Sequence, residues 1–369
     1  MLDTFAMKIA KEHPDEKVTF AIYLPYTRST RPLLQLDLEV KYESFNLENV
    51  SVVCYDRLSE LKDANLTNHY LCIDEISLSL LRPEDFLEIL LEINPKSVWI
   101  AVRDTAQLGE VVPEQYLREK FTGWEIVNLV HPLRTSKNIS EKVKSAIVVD
   151  SVHTNEFNHT LVIAPNMPLG PDPLILPRSE GSIQARLQHV FSDVVTDQGA
   201  LIILDILNME ATPEEIHEAK RVTSHQELAE RTDRHSQRCM VGIEAVKACQ
   251  RPQGPPLLWF DSDSDFVSDT LCDTEDSVKE WMKGKKNISG RDLISDTKCV
   301  VGYEADFVIY VGSGNVTAFM SRCRGQFVHI SEPMDHAFST GFVRGAEGPT
   351  VPWDENGTHM GPAWNPPRE

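Results

Sequence analysis

With 369 residues, 41% of them hydrophobic, the chain has material for two cores of ordinary size. Its 56 acidic and 36 basic side chains give a formal charge of −20, which excludes a nucleic-acid grip spread over the whole surface but leaves room for a local basic groove. Seven cysteines without a Cys-x-x-Cys pair indicate neither a zinc cluster nor a disulfide framework, and no stretch approaches ~20 apolar residues, so no membrane span is expected.

The opening Met1-Leu2-Asp3-Thr4 has no apolar run of signal-peptide type. Without such a leader, triplets such as Asn65-Leu66-Thr67 count as chance matches, and the expected location is intracellular, in cytoplasm or nucleus. Residues 2–12 place Leu2, Phe5, Ala6, Ile9 and Ala10 on one helical face. Val18 to Leu24 reads as a strand, followed by a polar loop to about Arg31. Val50 to Tyr55, His69 to Glu75 and Ser97 to Val102 read as three more strands. Helical patterns fill the gaps, as in Pro83 to Leu91, where the proline suits a first turn. Ser145 to Val149 and Thr160 to Ala164 are taken as further strands.

Pro165 to Pro177 holds five prolines and one glycine and reads as a linker. Beyond it the alternation restarts, with a helix over 182–195 and a strand over 200–205. Thr212 with Glu215 forms a capping-box signature at a helix start. Strands are expected at 256–260, 307–311 and 326–330, with an acidic stretch from Asp261 to Asp276. From about Glu332 the chain is rich in Gly and Pro and lacks periodicity, so a disordered tail is expected over 333–369. Apolar strands alternating with helices mean an α/β chain with parallel sheets covered on both faces. The expected layout is a first domain over 1–165, a linker over 166–178 and a second domain over 179–332.

Several short strings carry candidate chemistry. Asp74-Glu75 ends an apolar strand, where one carboxylate suits Mg²⁺ and the other can orient water; acidic pairs at strand ends also serve as solvated caps. Asp104 and Gln107 follow the next strand, and ligands gather at the carboxyl ends of strands in such sheets; an ordinary polar loop has the same look. Leu133-Arg134-Thr135-Ser136 offers an arginine at a strand-to-helix turn, the surface arginine being the plainer reading. Val301-Gly302-Tyr303-Glu304-Ala305-Asp306 enters a strand. Ser321-Arg322-Cys323-Arg324-Gly325 enters the next, with guanidinium groups suited to charged oxygens or to the basic end of a helix.

Taken in order, these strings resemble the motor core of superfamily 1 helicases, the UvrD-like group of P-loop NTPases, over roughly residues 1–330. The resemblance implies two tandem RecA-like domains with a cleft between them, the first one incomplete. It matches Asp74 and Glu75 to the carboxylates for Mg²⁺ and water, and Gln107, beside Asp104, to the glutamine that contacts the terminal phosphate. It matches Arg134 and Arg322 to the arginines that close on that phosphate, and Gly302 and Glu304 to the Gly-x-Glu motif that touches the ribose. ATP and Mg²⁺ are the implied cofactors. Single-stranded nucleic acid, touched near Tyr23 to Thr30, and protein are the implied partners.

The departures are specific. No Gly-x-x-x-x-Gly-Lys-Ser/Thr string occurs, and in the family that loop lies just before the helix at residues 1–12, where the chain begins. Its backbone N–H groups and lysine supply most of the phosphate affinity. The family's base-stacking aromatic is here Leu133, and the lysine before Gly-x-Glu is here Val301. Three readings follow: a helicase-like ATPase whose N-terminal end is missing, a degenerate non-catalytic relative acting as an interaction or regulatory module, or a two-domain α/β protein with coincidental matches. On the first reading, residues 1–369 as they stand are expected to bind ATP poorly and to show no measurable turnover.

Overall fold

A computed structural model describes residues 2–24, 30–55, 57–76, 83–102, 118–119, 121–127, 135–151, 163–177, 181–193, 199–261, 271–283, 291–314 and 316–331. It is an α/β protein with two sheets, and every strand pairing in both is parallel. Asp104, Gln107, Arg134 and the tail over 333–369 lie outside the described residues.

The first sheet takes β1 (Val18–Tyr23), β2 (Val50–Tyr55), β3 (Tyr70–Ile76) and β4 (Ser97–Val102) in the order β2-β1-β3-β4. Side chains alternate across it as the pleat requires. Ala21, Tyr23, Leu71 and Ile73 point one way, against Phe86, Ile89 and Leu90 of a helix over Pro83–Ile93. Phe20, Ile22 and Cys72 point the other way, against Ala6, Ile9 and Ala10 of the helix α1 (Leu2–Glu12).

The second sheet has six strands: β5 (Leu174–Pro177), β6 (Leu201–Leu204), β7 (Leu257–Trp259), β8 (Leu293–Asp296), β9 (Ala305–Val311) and β10 (Cys323–Ser331), in the order β5-β10-β9-β6-β8-β7. Numbering helices along the chain, α2 spans Leu33–Ser44, α3 Leu58–Asp63, α4 Pro83–Ile93 and α5 Lys137–Ser151. After β5 come α6 (Ile183–Asp193), α7 (Pro213–Val222), α8 (Gln226–Glu230), α9 (Arg234–Lys247), α10 (Glu275–Lys283) and α11 (Val316–Met320). Ile202, Leu204, Ile309 and Val328 pack on α6, α7 and α9, while Leu201, Ile203, Val308 and Tyr310 pack with α5 and α10 on the opposite face. The capping box forms as the sequence predicts: the Glu215 amide donates to Thr212 Oγ1 at 3.2 Å, and the Thr212 amide donates to Glu215 Oε2 at 2.9 Å.

Three local expectations are corrected. Ser145 to Val149, taken as a strand, lies inside α5. The four-residue apolar run Ala146 to Val149 does not separate strand from helix, and here it continues the helix that starts at Lys137. β5 lies within the Pro-rich stretch taken as a linker, as an edge strand that tolerates proline at Pro177. β8, too short to show a period, was not expected, and it lies between β6 and β7.

Helix α2 joins the two sheets. Leu38 and Tyr42 belong to the first sheet's core, while Leu33 and Leu36 belong to the second's, and helical geometry puts these two pairs on roughly opposite faces. Leu33, Leu36 and Leu38 are at most 3% exposed. The helix has no side-chain cap at Pro32. Its Leu33 amide donates instead to the Cys299 carbonyl of the second layer at 2.9 Å, satisfying one of the donors a helix start leaves over. Arg31 Nη1 bonds Glu275 Oε2 at 2.7 Å and Lys279 Nζ bonds Glu39 Oε2 at 2.9 Å, so α10 is fastened along α2. These pairs keep partial exposure and count for registry more than for stability.

Candidate functional site

The pairing of β3 with β4 runs in register from Tyr70↔Ser97 to Ile73↔Ile100 and resumes at Ile76↔Val102. Asp74 and Glu75 therefore oppose the single residue Ala101, the two-against-one count of a β-bulge. Glu75 has φ = 60°. A residue of this type is uncommon in the left-handed region, and holding one there costs of order 1–3 kcal/mol, a kind of strain that concentrates at functional positions. The bulge aims Glu75 toward the second sheet instead of along its own strand.

There it meets Arg322. Glu75 Oε1 and Arg322 Nη2 are 3.4 Å apart, with side-chain exposures of 10% and 6%. Arg322 sits between α11 and β10, held by its own amide to the Phe319 carbonyl (3.1 Å) and by its carbonyl to the Ala305 amide (3.2 Å). Gly302 closes the third side. Its φ is 76°, and a Cβ there would stand 2.4 Å from Leu34 Cδ2 and 3.2 Å from Glu75 Oε1. A glycine is required here for both the backbone conformation and the close approach.

Three of the residues picked out by the sequence, Glu75, Gly302 and Arg322, thus meet across the junction of the two layers. Asp74 adjoins them: its Oδ1 accepts from the Glu75 amide at 2.8 Å. Burial, and then the neighbouring Glu75 charge, push the Asp74 carboxyl up from 3.8 to about 6; the hydrogen bond from Glu75 N–H and the Arg322 charge oppose the shift. Glu304 is half-buried at the entry to β9. Asp104, Gln107 and Arg134 lie outside the described residues. Sequence reasoning missed Leu34 and α2 as parts of this junction. The signal was a helix with apolar residues on two opposite sides, Leu33 and Leu36 on one and Leu38 and Tyr42 on the other, the mark of a helix covered from both sides.

The raised Asp74 carboxyl gives a pH dependence with a definite sign. Its folded pKa lies above the unfolded one, so the folded state binds the proton more tightly. The contribution to stability is complete below about 4 and is lost as pH rises through about 6. Urea denaturation between those pH values is expected to show the native chain losing stability relative to Asp74→Asn as pH rises. A difference between the two proteins that stays flat with pH contradicts the assignment.

The described residues do not fit Mg–ATP. Glu75, which would have to orient water, is engaged by a guanidinium, and a side chain at Gly302 would crowd the same carboxylate. Among the described residues no group of three or more His, Cys, Asp or Glu is placed to hold a metal ion, and no helix is long and apolar enough to cross a membrane. All seven cysteines are free thiols. No protein-family model matches the chain, and no curated protein matches it.

Proposed function

We propose that the chain is a superfamily 1 helicase-like module, built of two RecA-like layers, in which a fixed junction replaces nucleotide hydrolysis. The reading is supported by the order of the short motifs and by where their residues come to lie. The observation that carries it is the 3.4 Å contact between Glu75 of the first layer and Arg322 of the second. In a hydrolysing relative those two groups would face the terminal phosphate from opposite sides. Here they pair with each other, and α2, shared by both cores, holds the layers in one arrangement. A module fixed in this way acts by presenting a surface, and its partners on this reading are proteins. Single-stranded nucleic acid at Tyr23 to Thr30 is the alternative that the resemblance offers.

The test is ATP turnover by residues 1–369 with Mg²⁺ present, beside Glu75→Gln. The expected outcome is no turnover above background in either protein and no saturable ATP binding in calorimetry. Turnover that Glu75→Gln abolishes overturns the reading and restores a working motor.

A further inference from the structure

A second polar site lies away from this junction, above the carboxyl end of β6, and nothing in the helicase-like reading uses it. The chain leaves β6 through Asp205 to Ala211 and passes under the first two turns of α9. There Glu210, Ala211, Ile216, Arg234, Gln237 and Arg238 enclose a cavity of ≈ 100 Å³. Ligands in parallel α/β sheets collect at this end of the strands. A buried water needs about 10–15 Å³ by the same kind of measure, so the space exceeds a single water several-fold and suits a phosphate-sized group.

Arg238 is 5% exposed. Its Nη1 donates to the carbonyls of Ile206 at 3.0 Å and Leu207 at 2.7 Å, which fixes the plane of the guanidinium. Among the described residues Arg238 forms no ion pair, and the cavity's carboxylate, Glu210, pairs with Arg234. Arg234, one helical turn earlier on the same face, reaches the cavity from outside and touches Glu210 at 3.5 Å with both side chains largely exposed. Burial, and then the Arg234 charge, depress the pKa of Arg238, while the Glu210 and Asp205 carboxylates oppose the shift; the guanidinium remains cationic. A largely buried guanidinium, fixed in its plane and held next to a second cation at the wall of a cavity, is placed to meet an anion.

We propose that this cavity binds a phosphate group, with the fork of Arg238 as its floor and Arg234 as its lid. A tetrahedral dianion carries enough charge and enough oxygens to engage both guanidinium groups at once, whereas a carboxylate satisfies one fork. The proposal is independent of the helicase-like reading, since none of these residues touches Glu75, Gly302 or Arg322.

The experiment is isothermal titration of the full chain with inorganic phosphate at constant ionic strength, with a nucleoside 5′-monophosphate and acetate as parallel arms. Saturable binding with a Kd of about 1 mM or tighter is expected. Arg238→Lys keeps the charge but loses the fork, and is expected to weaken binding about tenfold. Arg234→Gln, at an exposed position that folding tolerates, is expected to weaken it about threefold. Glu210→Gln, which removes the competing carboxylate, is expected to tighten it. Binding of the monophosphate tighter than that of phosphate places the group on an organic carrier; equal binding assigns the free ion. No saturable binding, equal binding of acetate, or an affinity unchanged by Arg234→Gln overturns the proposal, and the Arg234 arm decides even where Arg238→Lys fails to fold.

Discussion

Replacing Arg322 with methionine is expected to destabilise the protein by about 3–5 kcal/mol in equilibrium denaturation. Removing the guanidinium leaves the Glu75 carboxylate at 10% exposure without the Arg322 countercharge. An ionised carboxylate in that position is costly, and most of the loss comes from the stranded charge instead of from the missing contact. The companion experiment is therefore Arg322→Met with Glu75→Leu. Removing both charges together is expected to recover most of the stability lost in the single variant, giving a large coupling energy in the double-mutant cycle. A loss below ~1 kcal/mol for Arg322→Met would mean that the pair behaves as an exposed one, and the idea of a clasp between layers would fail with it.

Leu36→Ala in α2 is the second large effect. Leu36 is fully buried, on the face of α2 that completes the core of the second sheet. Truncating a buried leucine costs roughly 2–5 kcal/mol, the spread reflecting how far the surroundings collapse. What sets this position apart is the helix that carries it. The opposite face of α2 is held in the first sheet's core by Leu38 and Tyr42, so a cavity on one side loosens the element both layers share. The native chain is expected to unfold in one cooperative transition, and Leu36→Ala in two resolved steps, followed by urea titration with two independent probes. Leu91→Ala, at 80% exposure, is the control and is expected to stay within about 0.5 kcal/mol of the native protein. A single, unshifted transition for Leu36→Ala would remove α2 from its joining role.

Both predictions bear on the choice between a motor and a fixed module. A motor needs its layers to part and close around a ligand, with ligand binding supplying the difference in free energy between states. Here the Leu33 amide bonded to the Cys299 carbonyl, the Trp259 indole N–H bonded to the Arg31 carbonyl at 3.0 Å, and the Glu75–Arg322 pair all act across the junction. Opening it breaks these contacts together and exposes Leu33 and Leu36.

Strands with a continuous apolar run, such as Val18 to Tyr23 and Phe307 to Val311, were legible because a strand buried on both faces leaves that pattern in any context. The capping box at Thr212 was legible because its hydrogen bonds span three residues and need no partner from elsewhere. Ser145 to Val149 was misread because its length fits either element, and the helix upstream decided the matter. Leu34-Gln35-Leu36-Asp37-Leu38 alternates with the period of a strand and yet is helical, since apolar residues are wanted on two sides of α2.

The sequence by itself determined which residues have the chemistry to matter at the junction: an acidic pair after an apolar strand, a glycine before another, an arginine before a third. Tertiary structure alone decided what they do. The bulge that puts two residues opposite Ala101 turns Glu75 out of its sheet, and the Gly302 backbone reaches Glu75 because no side chain stands between them. Whether a carboxylate meets water, a metal or a guanidinium depends on separations of a few ångströms between segments almost 250 residues apart in the chain, as |i−j| = 247 for this pair shows. Local pattern encodes burial and period, while such distances follow from how whole layers pack.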